Sequence, residues 1–355
     1  MRTVRLYEPE ELGLKNEIQL FEDGCRTEEK SGNYEWWYFD SRMNDGSKLV
    51  IVFYTKPVTS FSAKFRPAAS LNYTAPDGTE IKEEVTSDLF SFCRAQCDNR
   101  IGESRFLGDL KHYEITFKNE NVECSLNLQS CVPSWRPKSG HIYFGKKDFF
   151  AWLPSVPEGT VNGTLKTKDK TVTLEGTGYH DHNWGNKLMI FLMNDWYWGR
   201  ARIGNYAVIS SYIYAAKKDG YQPIPIFMLA KDGKILTKDA EKYLTYEEKD
   251  YVKDPYTKRY VAHTLVYDYH DSDIHYRITY RKGNEDVERQ TMKDIVGKPA
   301  AAMFYLLRFR GSYHRMTGTA ILEKFNEKNE VTERIESPAM WEQMCFRPDR
   351  IKNPQ

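Results

Sequence analysis

An unusual run of polar and ionisable residues lies in the middle of the chain, where Gly178 to Gly185 reads GYHDHNWG. Three ionisable side chains in succession, His180, Asp181 and His182, suit a buried strand only if each of them is paired. In such a cluster a histidine or an aspartate can give or take a proton, while Trp184 packs against an apolar or cationic centre. One interpretation of this motif is therefore a site of proton transfer.

On a strand, alternate residues share a face, so this motif has two faces. One face would carry His180, His182 and Trp184, and the other would carry Tyr179, Asp181 and Asn183. A second interpretation is a buried polar network that closes the domain, stable only if every donor and acceptor is satisfied. We expect His182 to be the more functional and Asp181 the more structural. Zinc chelation by the two histidines lacks an identifiable third ligand, so we predict no bound metal.

A second unusual stretch, Asn33 to Asp40, reads NYEWWYFD and places aromatic residues on both faces of a strand. Aromatic side chains bury large areas, so this stretch is either a core plug or the wall of a ligand site. Glu35 would be desolvated there, and its pKa would rise unless a cation formed an ion pair with its carboxylate. We expect Glu35 to be buried and to meet a cation, either Arg200, Arg202 or a histidine of the central motif.

The aromatic stretch has an internal counterpart, which indicates a duplicated domain. Glu35-Trp36-Trp37-Tyr38 precedes a turn and an apolar strand, and Asp195-Trp196-Tyr197-Trp198 does the same in the second half. We predict a lead segment over 1–30, one domain over 31–187 and a second over 188–355. The boundary would lie between Gly185 and Asn194.

The composition favours β structure in both halves. Aromatic residues make up 14% of the 355 residues, and aromatic and β-branched residues favour pleated, half-buried surfaces. Strand-like runs such as YAVISSYIYA alternate with NDG, PDG and KDG turns, which is typical of antiparallel sheets. Helices are expected only over Glu10 to Phe21 and Asp294 to Arg308.

Charge, cysteine usage and missing motifs exclude several classes of function. The formal net charge is +1, so there is no basic field for nucleic acid. The six cysteines contain no CxxC pair and are interpreted as reduced thiols. No secretory h-region and no membrane-length apolar run occur, so a cytoplasmic location is expected. No nucleotide-binding or serine-hydrolase motif is present.

The motifs YEWWYFD and GTGYHDHNWG together resemble the lipocalin-like hydroxyneurosporene synthase (carotenoid 1,2-hydratase) family, to which kievitone hydratase and fungal Diels–Alderases are related. The resemblance implies an all-β fold of two tandem lipocalin-like antiparallel β-barrels. It also implies alkene hydration or polyene cyclisation without an organic cofactor. His182 and Trp184 carry over as active-site residues. The Tyr-x-Asp pair of the hydratase branch has no counterpart, because Ser210 to Tyr214 reads SSYIY.

Two functions stay open at this stage. One is an enzyme acting on a hydrophobic isoprenoid or polyketide, with Asp181 or Glu35 as the acid and His182 as a relay or base. The other is a non-catalytic carrier of an apolar metabolite or lipid. In either case the expected ligand-binding side chains are aromatic: Trp36, Trp37, Tyr38, Tyr179, Trp184, Trp196, Trp198 and Tyr212.

Overall fold

The computed structural model describes residues 1–57, 60, 62–291, 293–294, 311–348 and 350–351. By its internal contacts the chain divides into two compact units. The N-terminal unit is Leu6–Leu188, and the C-terminal unit consists of Met1–Arg5 together with the chain from Met189 onward. Both units are built from antiparallel strands, which confirms the all-β expectation.

The N-terminal unit contains one long antiparallel sheet. The chain begins with a short strand, β1 (Val4–Leu6), and two 3-10 helices at Pro9–Leu12 and Leu20–Asp23. The strands that follow are β2 (Tyr34–Met43), β3 (Lys48–Tyr54), β4 (Ala68–Thr74), β5 (Glu80–Thr86), β6 (Phe90–Phe92), β7 (Cys97–Ile101), β8 (Ser104–Gly108), β9 (His112–Lys118), β10 (Val122–Ser130), β11 (His141–Phe144), β12 (Asp148–Thr167) and β13 (Thr171–Gly185).

The C-terminal unit contains a second antiparallel sheet. Among its described residues, 3-10 turns lie at Met189–Phe191 and Lys217–Asp219, and a short α-helix, α1, spans Ala240–Tyr243. Its strands are β14 (Met193–Ile203), β15 (Tyr206–Ala215), β16 (Pro223–Lys231), β17 (Lys234–Ile235), β18 (Leu244–Lys253), β19 (Tyr260–His270), β20 (His275–Thr291), β21 (Ser312–Phe325) and β22 (Val331–Cys345).

The two sheets share one topology. The orders are β5-β4-β3-β2-β13-β12-β10-β9-β8-β7-β6 and β17-β16-β15-β14-β22-β21-β20-β19-β18. Along each order, strands that are neighbours in the chain pair in space, except that β10 pairs with β12 while β11 pairs with β12 outside this path. In each sheet the first long strand pairs with the last, and, counted from that first long strand, the ladder of the described residues is open after the fourth strand. Each sheet is therefore an up-and-down meander curled into a half-barrel.

The ladder between β2 and β13 positions the central motif, and its register pairs His182 with Trp37 and Asp181 with Tyr38. Close approach of the two strands explains a glycine beside the motif. A Cβ atom on Gly176 would lie 2.2 Å from the carbonyl oxygen of Arg42. Glycine at this position therefore allows the two long strands to pair without a steric clash.

The helix predicted over Glu10 to Phe21 is wrong. Two separate 3-10 turns occupy the region, and Gly13, with a left-handed φ of 67°, ends the first of them. Apart from Asp294, the helix expected over Asp294 to Arg308 lies outside the described residues. Within the described residues, no helix is long and apolar enough to cross a membrane. The six cysteines are free thiols, as expected.

Candidate functional site

The side chains of β13 separate into an inner and an outer cluster, as strand alternation predicts. His180 and His182 are fully buried and contact Phe106, Tyr113 and Trp37 of the core. On the other face, Asp181 accepts hydrogen bonds from Tyr179, from Asn183 and from the indole of Trp152. The two clusters have different chemistry.

In the inner cluster Glu35 forms an ion pair with His182. The Oε1 atom of Glu35 lies 2.8 Å from Nε2 of His182, and both side chains have no exposed surface. The other oxygen accepts hydrogen bonds from the hydroxyl and backbone N–H of Thr27, at 2.6 and 2.9 Å. The backbone N–H of Arg26 also donates to Oε1. The expectation that Glu35 is buried and meets a cation is confirmed, and that cation is His182.

The carboxyl of Glu35 therefore stays ionised despite its burial. Burial acts to raise its pKa, but the hydrogen bond and charge of His182, with the bonds from Thr27 and Arg26, hold that pKa below its usual value. Two tryptophan rings contact the imidazole of His182: Trp37 stacks on it at a centroid distance of 4.6 Å, and Trp184 lies 4.5 Å from it with its ring plane tilted by 32°. Two aromatic faces beside a cationic imidazole stabilise its charge.

Asp23, a residue of the predicted lead segment, forms the second inner pair. Its Oδ2 atom lies 3.2 Å from Nε2 of His180 and accepts a hydrogen bond of 2.6 Å from the hydroxyl of Tyr113. Burial acts to raise the pKa of Asp23, but the charges of His180 and His182 and the Tyr113 hydroxyl hold it below its usual value. This carboxyl is ionised as well.

The hydrogen-bond pattern assigns a proton to every ring nitrogen of these two histidines. Nδ1 of His180 faces the carbonyl oxygen of Tyr38 at 2.9 Å, and Nδ1 of His182 faces that of Glu22 at 3.1 Å. A carbonyl only accepts, so both Nδ1 atoms donate, and both Nε2 atoms donate to ionised carboxylates. All four N–H groups are thus used inside the protein.

Asp23 and Cys97 place two further potential metal-ligand atoms beside His180, and the sequence did not reveal this group. Ligand atoms of Asp23, Cys97 and His180 all lie within 4.8 Å of one another and are buried. The His180 nitrogen is already hydrogen-bonded to Asp23, and Sγ of Cys97 faces the carbonyl oxygen of Phe106 at 3.6 Å. Because these donors satisfy one another, we interpret the group as part of the ion-pair network.

In the outer cluster the carboxylate of Asp181 has only uncharged hydrogen-bond donors. Oδ2 accepts from the indole of Trp152 at 2.8 Å and from the hydroxyl of Tyr179 at 2.7 Å, and Oδ1 accepts from the amide of Asn183 at 2.6 Å. Burial raises the pKa of Asp181 to about 6, although these three hydrogen bonds and the charge of His180 oppose the rise. This carboxyl differs from Glu35 and Asp23 in the direction of its pKa shift.

Aromatic rings surround the outer cluster. Tyr38 lies edge-on to Tyr179 at 6.3 Å, and its hydroxyl donates to Asp40 at 3.0 Å. Trp36, which is half-buried, stacks between Tyr34 and Phe150 on the same face. Of the predicted ligand-binding aromatics of this unit, Trp36, Tyr38 and Tyr179 therefore belong to the outer cluster, whereas Trp37 and Trp184 belong to the inner one.

The second aromatic stretch lies on β14 of the C-terminal unit. Tyr197 is fully buried there, and its hydroxyl accepts from the backbone of Ala262 and the amide of Gln343, both at 2.8 Å. Trp196 and Trp198 are half-buried, and Tyr212 stacks on Tyr246 at 4.1 Å. Asp195, the counterpart of Glu35, pairs with Arg350 at 2.6 Å. Arg200 and Arg202 lie on the same strand, β14.

Sequence reasoning missed three residues of the two clusters, namely Asp23, Tyr113 and Trp152. It also missed a buried ion pair formed by Glu22, the residue before Asp23. In that pair Nε of Arg136 lies 2.8 Å from Oε2 of Glu22, and both side chains are buried. No periodic pattern marks Glu22 or Asp23, which sit in a single 3-10 turn. The only signal was their place in a run of charged residues before the aromatic stretch.

Removing the Tyr113 hydroxyl tests the inner network. We expect Tyr113→Phe to lower the free energy of unfolding by about 1–3 kcal/mol, because a buried carboxylate loses a donor. Urea unfolding at neutral pH measures this change. Tyr256→Phe is the control, since that tyrosine is exposed and bonds only at the surface to Asp294. Equal stability of the two variants would contradict the network.

Comparison with known proteins assigns the chain to a family. The model of the Diels-Alderase-like family matches residues 29–290, a span that includes the aromatic stretch and the central motif. The chain belongs to the Diels-Alderase-like family. The resemblance predicted from those two motifs is confirmed.

Two curated proteins are similar to this chain in sequence. The hydroxyneurosporene dehydrogenase of Chlorobaculum tepidum is 27% identical over 59% of this chain and 64% of its own length. A quinolone epoxide rearrangement protein of Penicillium thymicola is 28% identical over 59% of this chain and 62% of its own. The match spans less than two thirds of either relative.

The crystal structure of CghA with Sch210972 superposes with a TM-score of 0.62 at 12% identity, covering 94% of this chain and 97% of that one. At this identity the likeness concerns the fold. It confirms the predicted lipocalin-like architecture, with two antiparallel sheets curled as half-barrels.

Proposed function

We propose that the protein is a cofactor-independent enzyme that acts on a hydrophobic isoprenoid or polyketide by general-acid catalysis, with Asp181 as the acid. The observation that carries this proposal is the state of the Asp181 carboxyl. Burial raises its pKa to about 6, and its hydrogen-bond partners are the uncharged Trp152, Tyr179 and Asn183. A carboxylic acid with a pKa near neutrality can hold a proton and deliver it.

The other acids considered from the sequence are less suited to this role. Glu35 is ionised and bound to His182, and Asp195 is bound to Arg350. His182 has no exposed surface and uses both N–H groups internally. The contacts therefore favour the opposite of the expected division: Asp181 is the catalytic acid, and His182 and His180 are positioning residues that fix β13.

The proposed reaction begins with proton transfer from Asp181 to an alkene carbon or an epoxide oxygen. With an alkene, the carboxyl O–H bond breaks, the π pair forms a C–H bond, and a carbocation results. Water can then add and return a proton to the carboxylate, which gives an alcohol. Alternatively, a second double bond of the substrate attacks and a later proton loss to Asp181 gives a ring. Both courses restore the acid.

The aromatic side chains of the outer cluster suit such a cation. The faces of Trp36, Tyr38 and Tyr179 can stabilise positive charge, and a water-poor surface delays its capture. The relatives' names support apolar or epoxide substrates, since one refers to hydroxyneurosporene and the other to a quinolone epoxide. In the C-terminal unit, the aromatic side chains of Trp196, Trp198 and Tyr212 suit contact with an apolar ligand.

We also propose that the chain contains a duplicated domain and that it acts in the cytoplasm. The shared strand order of the sheets, with the same opening after the fourth strand, supports duplication of one domain, with the second copy starting near residue 188. Six unpaired cysteines suit a reducing compartment, which supports action in the cytoplasm.

The pH dependence of turnover tests the assignment of Asp181. Purified protein is incubated with an acyclic carotene, a linear polyene polyketide and a quinolone epoxide, and products are followed by mass spectrometry. A gain of one water identifies hydration, and an unchanged mass identifies cyclisation or rearrangement. We expect kcat/KM to be constant in acid and to fall above about pH 6, because Asp181 loses its proton there.

A substrate-free measurement accompanies this assay. The infrared difference between wild type and Asp181→Asn should show the C=O band of a protonated carboxyl, which disappears with a midpoint near pH 6. An Asp181 that titrates at an ordinary aspartate pKa, with no product from any of the three substrates, would refute catalysis. Retention of an unaltered apolar molecule in that case would support carriage instead.

A further inference from the structure

Exposed apolar side chains of the N-terminal unit are concentrated at one end. Among its described residues, the large hydrophobic side chains with substantial exposure are Leu20 (44%), Phe21 (38%), Leu89 (80%) and Phe90 (41%). Half-buried Phe65 joins them, with its ring 6.4 Å from that of Phe90. We call these five residues the apolar tip.

Direct contacts connect two of the three segments that form this tip. The backbone N–H of Cys25 donates to the carbonyl oxygen of Cys93 at 2.7 Å, and a Cβ atom on Gly24 would lie 2.7 Å from the carbonyl oxygen of Arg94. The guanidinium of Arg26 lies over the Phe21 ring at 5.3 Å and donates to the Arg94 carbonyl. Leu20 and Phe21 are therefore neighbours of the strand that begins at Phe90.

Contacts with the core and a backbone hydrogen bond hold part of the apolar tip in place. The rings of Phe90 and Phe92 lie 5.6 Å apart, and Phe92 stacks on the fully buried Trp37 at 5.8 Å. Leu89 is fixed by a hydrogen bond of 2.9 Å from Gly102 to its carbonyl oxygen. Exposure of these side chains is thus a property of an ordered region, and covering them would cost little conformational entropy.

The charges around the tip are predominantly positive. Lys64 and Arg66 flank Phe65 and are exposed, Arg94 is exposed as well, and Arg26 is half-buried beside the 3-10 turn. The acids next to these segments are Glu22, Asp23, Glu28, Glu29 and Asp88. Glu22 is paired with Arg136, Asp23 with His180 and Glu28 with Lys30, and the carboxylate of Glu29 accepts from the backbone of Phe65. Apart from these three pairs, the four cations face Glu29 and Asp88, which leaves an excess of two positive charges in a chain whose net charge is +1.

We propose that the apolar tip and its cations dock the protein onto the surface of an anionic lipid bilayer. Leucine and phenylalanine side chains on short turns enter the boundary between headgroups and acyl chains, while lysine and arginine beside them are attracted to anionic headgroups. An excess of charge on one small face selects this partner over an uncharged apolar surface. Docking of this kind is peripheral and reversible, because the tip presents only a few apolar side chains.

Sedimentation with vesicles tests the proposal. We expect wild-type protein to sediment with vesicles of phosphatidylcholine containing about one third phosphatidylserine, and much less with phosphatidylcholine alone or at high salt. The double variant Leu89→Ser/Phe90→Ser should bind at least about tenfold more weakly, since two buried apolar side chains are lost. Lys64→Gln/Arg66→Gln should weaken binding to the anionic vesicles only.

Val252→Ser/Val331→Ser is the matched control, because those two exposed valines lie in the C-terminal unit. It should bind like wild type. Equal binding by the tip variant and wild type, or no binding to anionic vesicles, would overturn the proposal. A concentration-dependent rise in mass that the tip variant abolishes would also overturn it and would assign the tip to self-association. The assay needs no substrate, so its result is independent of the proposed activity.

Discussion

Asp181→Asn is expected to lower turnover by about 10²–10⁴-fold, the usual contribution of a positioned acid or base. The substitution removes the carboxyl proton that the proposed mechanism delivers to the substrate. The amide oxygen can still accept from Trp152 and Tyr179, and Asn183 can turn its own oxygen toward the new amide, so the fold keeps its hydrogen bonds. Single-turnover kinetics on the converted substrate measures the loss.

The stability of the Asp181→Asn protein should not fall together with its turnover. A carboxyl whose folded pKa is raised from 3.8 to about 6 makes the native state less stable as pH rises through that interval. Replacing it with an uncharged amide removes this penalty, so Asp181→Asn should melt at or above the wild-type temperature at neutral pH. Asp169→Asn, in an exposed turn, should change neither quantity. A variant of Asp181 that is fully active but less stable would make this residue structural.

Glu35→Gln is expected to cost about 3–5 kcal/mol of unfolding free energy, the range for breaking a buried ion pair from one side. The two carboxylate oxygens accept from His182, from Thr27 and from the Arg26 backbone. A glutamine offers one acceptor oxygen, and its NH₂ group would face donors. The His182 cation would lose its counter-charge in a fully buried site. Chemical denaturation at neutral pH measures the cost.

The pH dependence gives this prediction a sign. The folded pKa of Glu35 lies below its unfolded value, so its contribution is fully present above the ordinary glutamate pKa and is lost as pH falls through the folded pKa. The difference between Glu35→Gln and wild type should therefore shrink in acid. Glu123→Gln, exposed on β10, is the control. A Glu35 variant as stable as wild type at neutral pH would refute the role of the pair.

Strand periodicity made the fold predictable. Alternation within GYHDHNWG separated the histidines from Asp181 correctly, and burial of Glu35 among aromatics implied the cation that His182 provides. Its partner could not be chosen among Arg200, Arg202 and the histidines, because the choice depends on register: Trp184 is paired with Glu35, and His182 with Trp37. A sequence does not state register between strands this far apart.

Tertiary packing also decided which carboxyl suits acid catalysis. Asp181 and Glu35 have similar local surroundings in the sequence, each beside aromatic residues. What distinguishes them are contacts from distant segments. Trp152 on β12 provides an uncharged donor to Asp181, whereas the backbone of Arg26 and the hydroxyl of Thr27 help to hold Glu35 ionised. Asp23 was not predicted as a core residue, because it lies in the segment 1–30, which the sequence placed outside both domains.

The pairing of β2 with β13 has a consequence for the order of folding. The contact between Glu35 and His182 closes a loop of 147 residues, and that between Asp23 and His180 closes one of 157. Contacts so distant form late, after the local hairpins that lie between them. During synthesis on the ribosome, Asp23 and Glu35 therefore have no histidine partner until the strand that ends at Gly185 has emerged. The N-terminal unit is therefore completed by its last strand.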